Sequence, residues 1–147
     1  MIYSRIFIDA NILIDLFFEN RPYSFYSKSV LEYLIEASST LYTSSDLITT
    51  IYYLMARENK NKSIALENIS NLLEIIDVII PFSHLEIKES IELMNKDSNF
   101  KDFEDTLQYY LAKSNNCDLI LTNDNDFYSP DIYKLDAKTM FQNISNS

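Results

Sequence analysis

Arg5-Ile6-Phe7-Ile8-Asp9-Ala10-Asn11-Ile12-Leu13-Ile14-Asp15 decides the fold class. A short apolar run stops at an acid, as a buried strand does where it leaves a sheet. The residues after it keep helical spacing, so Asn11 to Phe18 is predicted as a short helix. A strand followed at once by a helix is the opening of an α/β unit. The same alternation continues. Helices are predicted over 24–37, 46–58, 63–76, 83–95 and 103–114, and strands over 40–43, 77–80 and 117–122. Ile132-Tyr133 reads as an edge strand and 137–143 as a last helical turn or two. Asp46 or Ser45 is the expected cap of one helix and Asp102 of another, and Ser83-His84-Leu85-Glu86 is a capping box. The expected architecture is an α/β/α sandwich with a central parallel sheet of four to five strands, one domain over 1–147.

Composition narrows the chemistry. The 147 residues contain no glycine, one cysteine and one histidine. Glycine-rich phosphate loops, dinucleotide fingerprints and strand-to-helix nucleophile elbows are excluded. Cys/His zinc clusters and Ser-His-Asp arrangements are close to excluded. Turns are expected to use Asn, Asp, Ser or Pro. Acidic residues number 22 against 12 basic, a net charge of -10. Chemistry here is expected to be carboxylate chemistry. A nucleic-acid substrate would need metal ions or a second subunit to supply positive charge, since no Lys/Arg run makes a basic face. No apolar run approaches the ~18 residues of a membrane span. Cys117 alone cannot form an internal disulfide, so a reducing, cytoplasmic setting and no membrane association are expected.

In parallel sheets, ligands bind beyond the carboxyl ends of the strands. Asp9 stands at the end of the first strand, and Asp124 and Asp126 just past the fourth. Asp102 and Asp105 open the helix that feeds the fourth strand and share one helix face. With the first and fourth strands adjacent, these groups converge. Two like charges about 4 Å apart repel by about 4 kcal/mol at an effective dielectric of about 20. Either some carboxyls hold protons or a cation sits among them. Hard divalent ions with oxygen ligands, Mg²⁺ or Mn²⁺, suit such a set.

Three stretches together resemble the PIN domain family. Phe7-Ile8-Asp9-Ala10-Asn11 matches its opening, Asp102-Phe103-Glu104-Asp105-Thr106-Leu107 with Ala112 its second signature, and Asp118 to Phe127 its third. The resemblance spans residues 6 to about 143. It implies a Mg²⁺- or Mn²⁺-dependent nuclease fold, and for a chain of this size a VapC-like toxin that cleaves RNA and is neutralised by a cognate antitoxin. By that likeness Asp9 and Asp105 are metal ligands, Asp124 or Asp126 completes the site, and Asn11 and Thr122 orient ligands or water. The family places a Glu or Asp on the helix after the second strand. Here that position falls near Thr49 or Thr50, with Asp46 a turn earlier. Asp46 takes its place, or Asp102 does, or metal binds more weakly.

Plainer readings stand beside these. Asp9 and Asp102 serve as helix caps, Asp105 favours the helix dipole, and Asp124 and Asp126 form a turn. Asp15 is expected on the surface, His84 exposed, and Cys117 in the core. The Phe17-Phe18 and Tyr52-Tyr53 pairs are expected to be helical. The aromatic content, 14%, allows a patch for a homodimer or an antitoxin helix. Among Arg5, Arg21, Arg57, Lys101 and Lys113, Lys101 has the best case for touching a phosphate. Two other functions compete. One is an inactive domain of this architecture that binds protein or RNA. The other is a haloacid-dehalogenase-like phosphatase, which needs an Asp where Asn11 stands.

Overall fold

A computed structural model describes residues 3–147, without the side chain of Asn59. β1 (Arg5–Ile8) forms where expected because Ile6, Phe7 and Ile8 are fully buried, which suits a strand covered on both faces. α1 (Ala10–Asp15) follows directly, capped by the Asp9 carboxylate, whose Oδ1 accepts from the Ala10 N–H at 2.7 Å. Then come α2 (Ser24–Glu36), β2 (Thr40–Ser44), α3 (Ser45–Asn59), α4 (Lys62–Ile75), β3 (Val78–Ile80), α5 (His84–Lys96), α6 (Phe103–Ser114), β4 (Leu119–Leu121), β5 (Tyr133–Leu135) and α7 (Ala137–Ser145).

All five strands are parallel, in the order β3-β2-β1-β4-β5. The chain first winds outward from β1 through β2 to β3, then crosses back to β4 on the other side of β1. Right-handed crossovers place the helices of the two journeys on opposite faces of the sheet. The packing agrees: α3 lies against α4 and α1, α2 against α7 and α1, and α5 against α6. The central strands β1 and β4 are wholly apolar beyond Arg5, whereas edge strand β5 leaves Tyr133 exposed. The winding direction reverses between β1 and β4. A crevice therefore opens at their carboxyl ends.

Several local expectations change. Ser44, not Ser45 or Asp46, is the residue before α3, and Asp46 lies in its first turn, taking a hydrogen bond from the Ser44 hydroxyl. Phe17 and Phe18 lie beyond the end of α1. Leu66 and Leu73 of α4 are 60% and 53% exposed, so the helix buries a narrower stripe, centred on Ala65 and Leu72, than its apolar residues suggested. Phe25 and Ile35 of α2 are exposed as well. Without glycine, the left-handed positions after helices fall to Ser38, Lys60 and Asn116, and Lys60 is outside the set expected of turns. Each costs of order 1 kcal/mol relative to glycine.

Candidate functional site

The carboxyl ends of β1 and β4 are tied together. The Asp9 N–H donates to the Leu121 carbonyl at 3.0 Å. The Asp9 side chain is 7% exposed. Its Oδ2 accepts from the Thr122 hydroxyl at 2.8 Å and from the Asn11 amide at 3.2 Å. With Oδ1 engaged by Ala10, three of the roughly four acceptor positions of a carboxylate are filled by the protein, and the remaining one is left for a ligand. Burial pushes the Asp9 carboxyl upward, its three donors pull it down, and the nearby Asp124 charge adds to the rise.

The turn after β4 is organised around the same groups. The Asp124 N–H donates to the Thr122 hydroxyl at 3.1 Å, and the Asp126 N–H to Asp124 Oδ1 at 2.9 Å. Asp124 is the member of the pair that faces the other acids, raising the carboxyls of Asp9 and Asp105 by its charge. Asp126 is exposed and lines the same cleft. Opposite stands the start of α6. Asp102 caps it, with Oδ1 accepting from the Asp105 N–H at 2.9 Å. Asp105 is half-buried. Its carboxyl is pushed up to about 7, first by loss of water and then by the charges of Asp102, Asp9, Asp124 and Glu104. Asp102, Asp105 and Asp124 line one cleft, and Asp9 is tied to the Asp124 turn through the Thr122 hydroxyl. The cleft beside them measures about 790 Å³ and is walled by Asp102, Asp105, Asp124 and Asp126 on its acidic side and by Lys101 and Lys134 elsewhere.

The PIN domain family model matches residues 5–126. The chain belongs to the PIN domain family. It is 48% identical over 128 residues, 87% of each protein, to Ribonuclease VapC1 of Aquifex aeolicus (strain VF5). FitAcB from Neisseria gonorrhoeae superposes with a TM-score of 0.71 at 16% identity, over 90% of this chain and 98% of that one. VapBC2 from Rickettsia felis bound to a DNA fragment from their promoter gives 0.70 at 18% identity, over 90% and 98%. Mycobacterium tuberculosis VapC20, a Sarcin-Ricin loop cleaving toxin, gives 0.69 at 16% identity, over 88% and 98%. At such identities these superpositions speak for the fold alone.

The donors of this PIN domain suit a hard divalent ion, being carboxylate oxygens without sulfur or imidazole. Among the described residues no three acidic, histidine or cysteine side chains stand close enough to enclose an ion. A closed cage is not what Mg²⁺ uses: it keeps several waters and takes one or two carboxylates. Burial and then the neighbouring charges push the Asp105 carboxyl up to about 7, and a cation would relieve the repulsive part.

One acid was not anticipated. Glu104 has its carboxyl raised by burial and then by the charges of Asp46, Asp9 and Asp102. Its Oε1 accepts from the Gln108 amide at 3.2 Å, and Gln108 is 1% exposed. The i,i+4 spacing of Glu104 and Gln108 beside Asp105 was the available signal. Asp15, expected on the surface, is buried instead. Its side chain points inward because polar donors meet it there. Asn123, also overlooked, is one of them, donating at 3.1 Å.

The basic candidates separate by position. Arg5 hydrogen-bonds the Asn115 carbonyl and lies over the Tyr42 ring at the amino end of the sheet, remote from the acids. Arg21 pairs with Asp15, and Lys113 with Asp131. Lys101 lines the cleft. His84 is exposed. Cys117 is buried, and loss of water pushes its thiol up to about 12, so it belongs to the core and not to the chemistry.

Proposed function

We propose that this PIN domain, working as one unit over 1–147, is a Mg²⁺- or Mn²⁺-dependent endoribonuclease, the toxin of a toxin–antitoxin pair acting in the cytoplasm. The reading is supported by Asp105 and Asp124 lining one cleft, with Asp9 joined to the Asp124 turn through Thr122 where the sheet reverses its winding, in a chain 48% identical to a named ribonuclease. A divalent ion held there supplies the positive charge that polarises a phosphodiester and lowers the pKa of an attacking water.

The chain's own groups have separate tasks. Asp9, Asp105 and Asp124 are the carboxylates that would hold the ion, one or two directly and the rest through its waters, and Asp102 and Asp126 would flank them. Thr122 and Asn11 fix the Asp9 carboxylate through their donors to its Oδ2. Without a cation, Asp105 holds a proton up to about neutral pH and releases it when a positive charge arrives. RNA enters by the cleft that Lys101 and Lys134 border. Exposed apolar side chains such as Tyr53, Leu66 and Leu73 on α3 and α4 supply surface that an antitoxin or a second copy in a homodimer would cover.

Asp9→Asn and Asp105→Asn each leave the shape and remove a negative oxygen. Metal-dependent RNA cleavage should fall by at least a hundredfold in either. Cleavage that survives in purified Asp9→Asn protein would overturn the site. Calorimetric titration with Mn²⁺ separates the enzyme from a binding module of the same architecture, which would take up no metal.

A further inference from the structure

Asp15 takes no part in the acid cluster, yet its surroundings are built. The residue is 2% exposed. Its Oδ1 accepts from Arg21 Nε at 2.6 Å, and its Oδ2 from Ser27 Oγ at 2.5 Å and Asn123 Nδ2 at 3.1 Å. Ser24 Oγ donates to its backbone carbonyl at 2.7 Å. A buried carboxylate is retained when a charged partner and further donors replace its water, as they do here.

Asn123 is the residue between Thr122 and Asp124, and its polar groups reach both ends of α1 and the start of α7. Nδ2 goes to Asp15, Oδ1 accepts from the Ala137 N–H at 3.0 Å, and its own N–H donates to Asn11 Oδ1 at 3.1 Å. Asn11 then donates through Nδ2 to Asp9 Oδ2 at 3.2 Å and to the Thr122 hydroxyl at 3.3 Å. An unbroken chain of hydrogen bonds runs from Arg21 through Asp15, Asn123 and Asn11 to Asp9.

We propose that Asp15, with Arg21 behind it, is a positioning residue for the metal-holding acids. It holds the Asn123 amide, and through it the turn that carries Asp124 and the Asn11 side chain that orients Asp9. The inference rests on reading Asp9 and Asp124 as the acids of the nuclease site. It adds a requirement that the acids themselves do not show: Asp9 caps α1 and Asp124 lies on the turn after β4, and Asp15–Asn123 is a side-chain bond joining that helix to that turn. A carboxylate kept only for packing would affect folding stability and leave the geometry of the turn alone.

The experiment uses two variants. Asp15→Asn keeps the volume, but an amide has one accepting end where the carboxylate had two, so its N–H₂ must face a donor, either Arg21 or the Ser27 and Asn123 pair, and the anchor of the Asn123 amide is weakened. Combining it with Asn123→Asp restores a donor facing an acceptor, and the new carboxylate at 123 still accepts from Ala137. Amide hydrogen exchange is read at Asn123 and Asp124, whose N–H groups bond to Asn11 and Thr122. Exchange at both should quicken roughly tenfold in Asp15→Asn and return towards wild type in the exchanged pair. Mn²⁺ affinity should follow, falling roughly tenfold and recovering, and kcat for RNA should fall with KM little changed. Ser27→Ala, which removes one donor to Asp15, should move the same two amides in the same direction by less, and serves if Asp15→Asn does not fold. Wild-type exchange at both amides in Asp15→Asn, or in Ser27→Ala where that alone folds, overturns the proposal. This readout needs neither metal nor RNA. A wild-type protein that fails to cleave RNA would count against the nuclease reading and not against the brace.

Discussion

Asp105 has its carboxyl pushed up to about 7, first by burial and then by the neighbouring acids, against about 3.9 in an unfolded chain. Between these values the native state holds a proton that the unfolded state has lost. Stability of the metal-free protein therefore falls as pH rises from about 4 to about 7, and levels off above. Solvent reaching the half-exposed group trims the size of the effect but not its sign. Thermal melts in chelator should give a higher Tm at pH 5.5 than at pH 8, both set here as about 1.5 units below and 1 above the Asp105 value. Saturating Mg²⁺ should raise Tm most at the upper pH, since it binds the ionised form. A Tm that rises with pH in chelator would remove Asp105 from the cluster. Glu104 is tested in the same way. Its carboxyl is raised by burial and then by the charges of Asp46 and Asp9, and the family's helix acid is missing from the expected stretch. Glu104→Gln should weaken Mn²⁺ roughly tenfold, an effect of the size seen for groups that support metal ligands. Unchanged affinity would make Glu104 a bystander.

The start of α6 joins a cap to a repulsion. The Asp102 carboxylate satisfies the Asp105 N–H at 2.9 Å and is also the like charge that weighs most on the Asp105 carboxyl. Asp102→Ala removes both. At pH 5, where Asp105 is protonated, only the cap is lost, and urea unfolding should show a deficit of about 1 kcal/mol. At pH 8 relief of the repulsion offsets part of that loss, so the deficit should shrink. An equal deficit at both pH values would mean that the two carboxyls do not interact. Elements of this kind were readable in advance because their signals are local. Asp102 precedes a helical repeat, and the predicted helix 103–114 matches α6 (Phe103–Ser114). The strand-end acids were found by the same means, since a run such as Phe7-Ile8-Asp9 announces its own end. What failed was whatever depends on distant residues. Asp15 looked like a surface acid because its donors, Ser27 and Asn123, lie 12 and 108 positions away. Leu66 and Leu73 are exposed although apolar, because hydrophobicity does not say how wide a stripe the neighbouring helix covers. Glu104 was passed over because its meaning lies in Asp46 and Asp9, which only the fold brings near.

The molecule as a whole is negative, with a net charge of -10, and its proposed substrate is negative too. Long-range attraction cannot bring them together, so binding must rest on local cations: the divalent ion at the acids and the lysines along the cleft. Arg5, Arg21 and Lys113 are occupied elsewhere by Asn115, Asp15 and Asp131, which leaves Lys101 and Lys134 as the basic groups of the cleft wall. Lys134 is itself anchored, its Nζ donating to the Asn125 carbonyl at 3.1 Å and the Phe127 carbonyl at 2.6 Å. Two phosphate contacts to a single strand release few counterions, and the slope of log K against log salt should be about -1.4. That is shallow beside proteins that grip nucleic acid with a basic face. Lys101→Ala should halve the slope, to about -0.7, and weaken short and long RNAs alike, because it removes a phosphate contact and no base contact. Fluorescence anisotropy with a single-stranded RNA and Asp9→Asn protein at constant Mg²⁺, over a range of added potassium salt, measures both. A slope steeper than about -3 would place RNA on a positive surface outside this cleft, and the lysines would then lose their part in the reading.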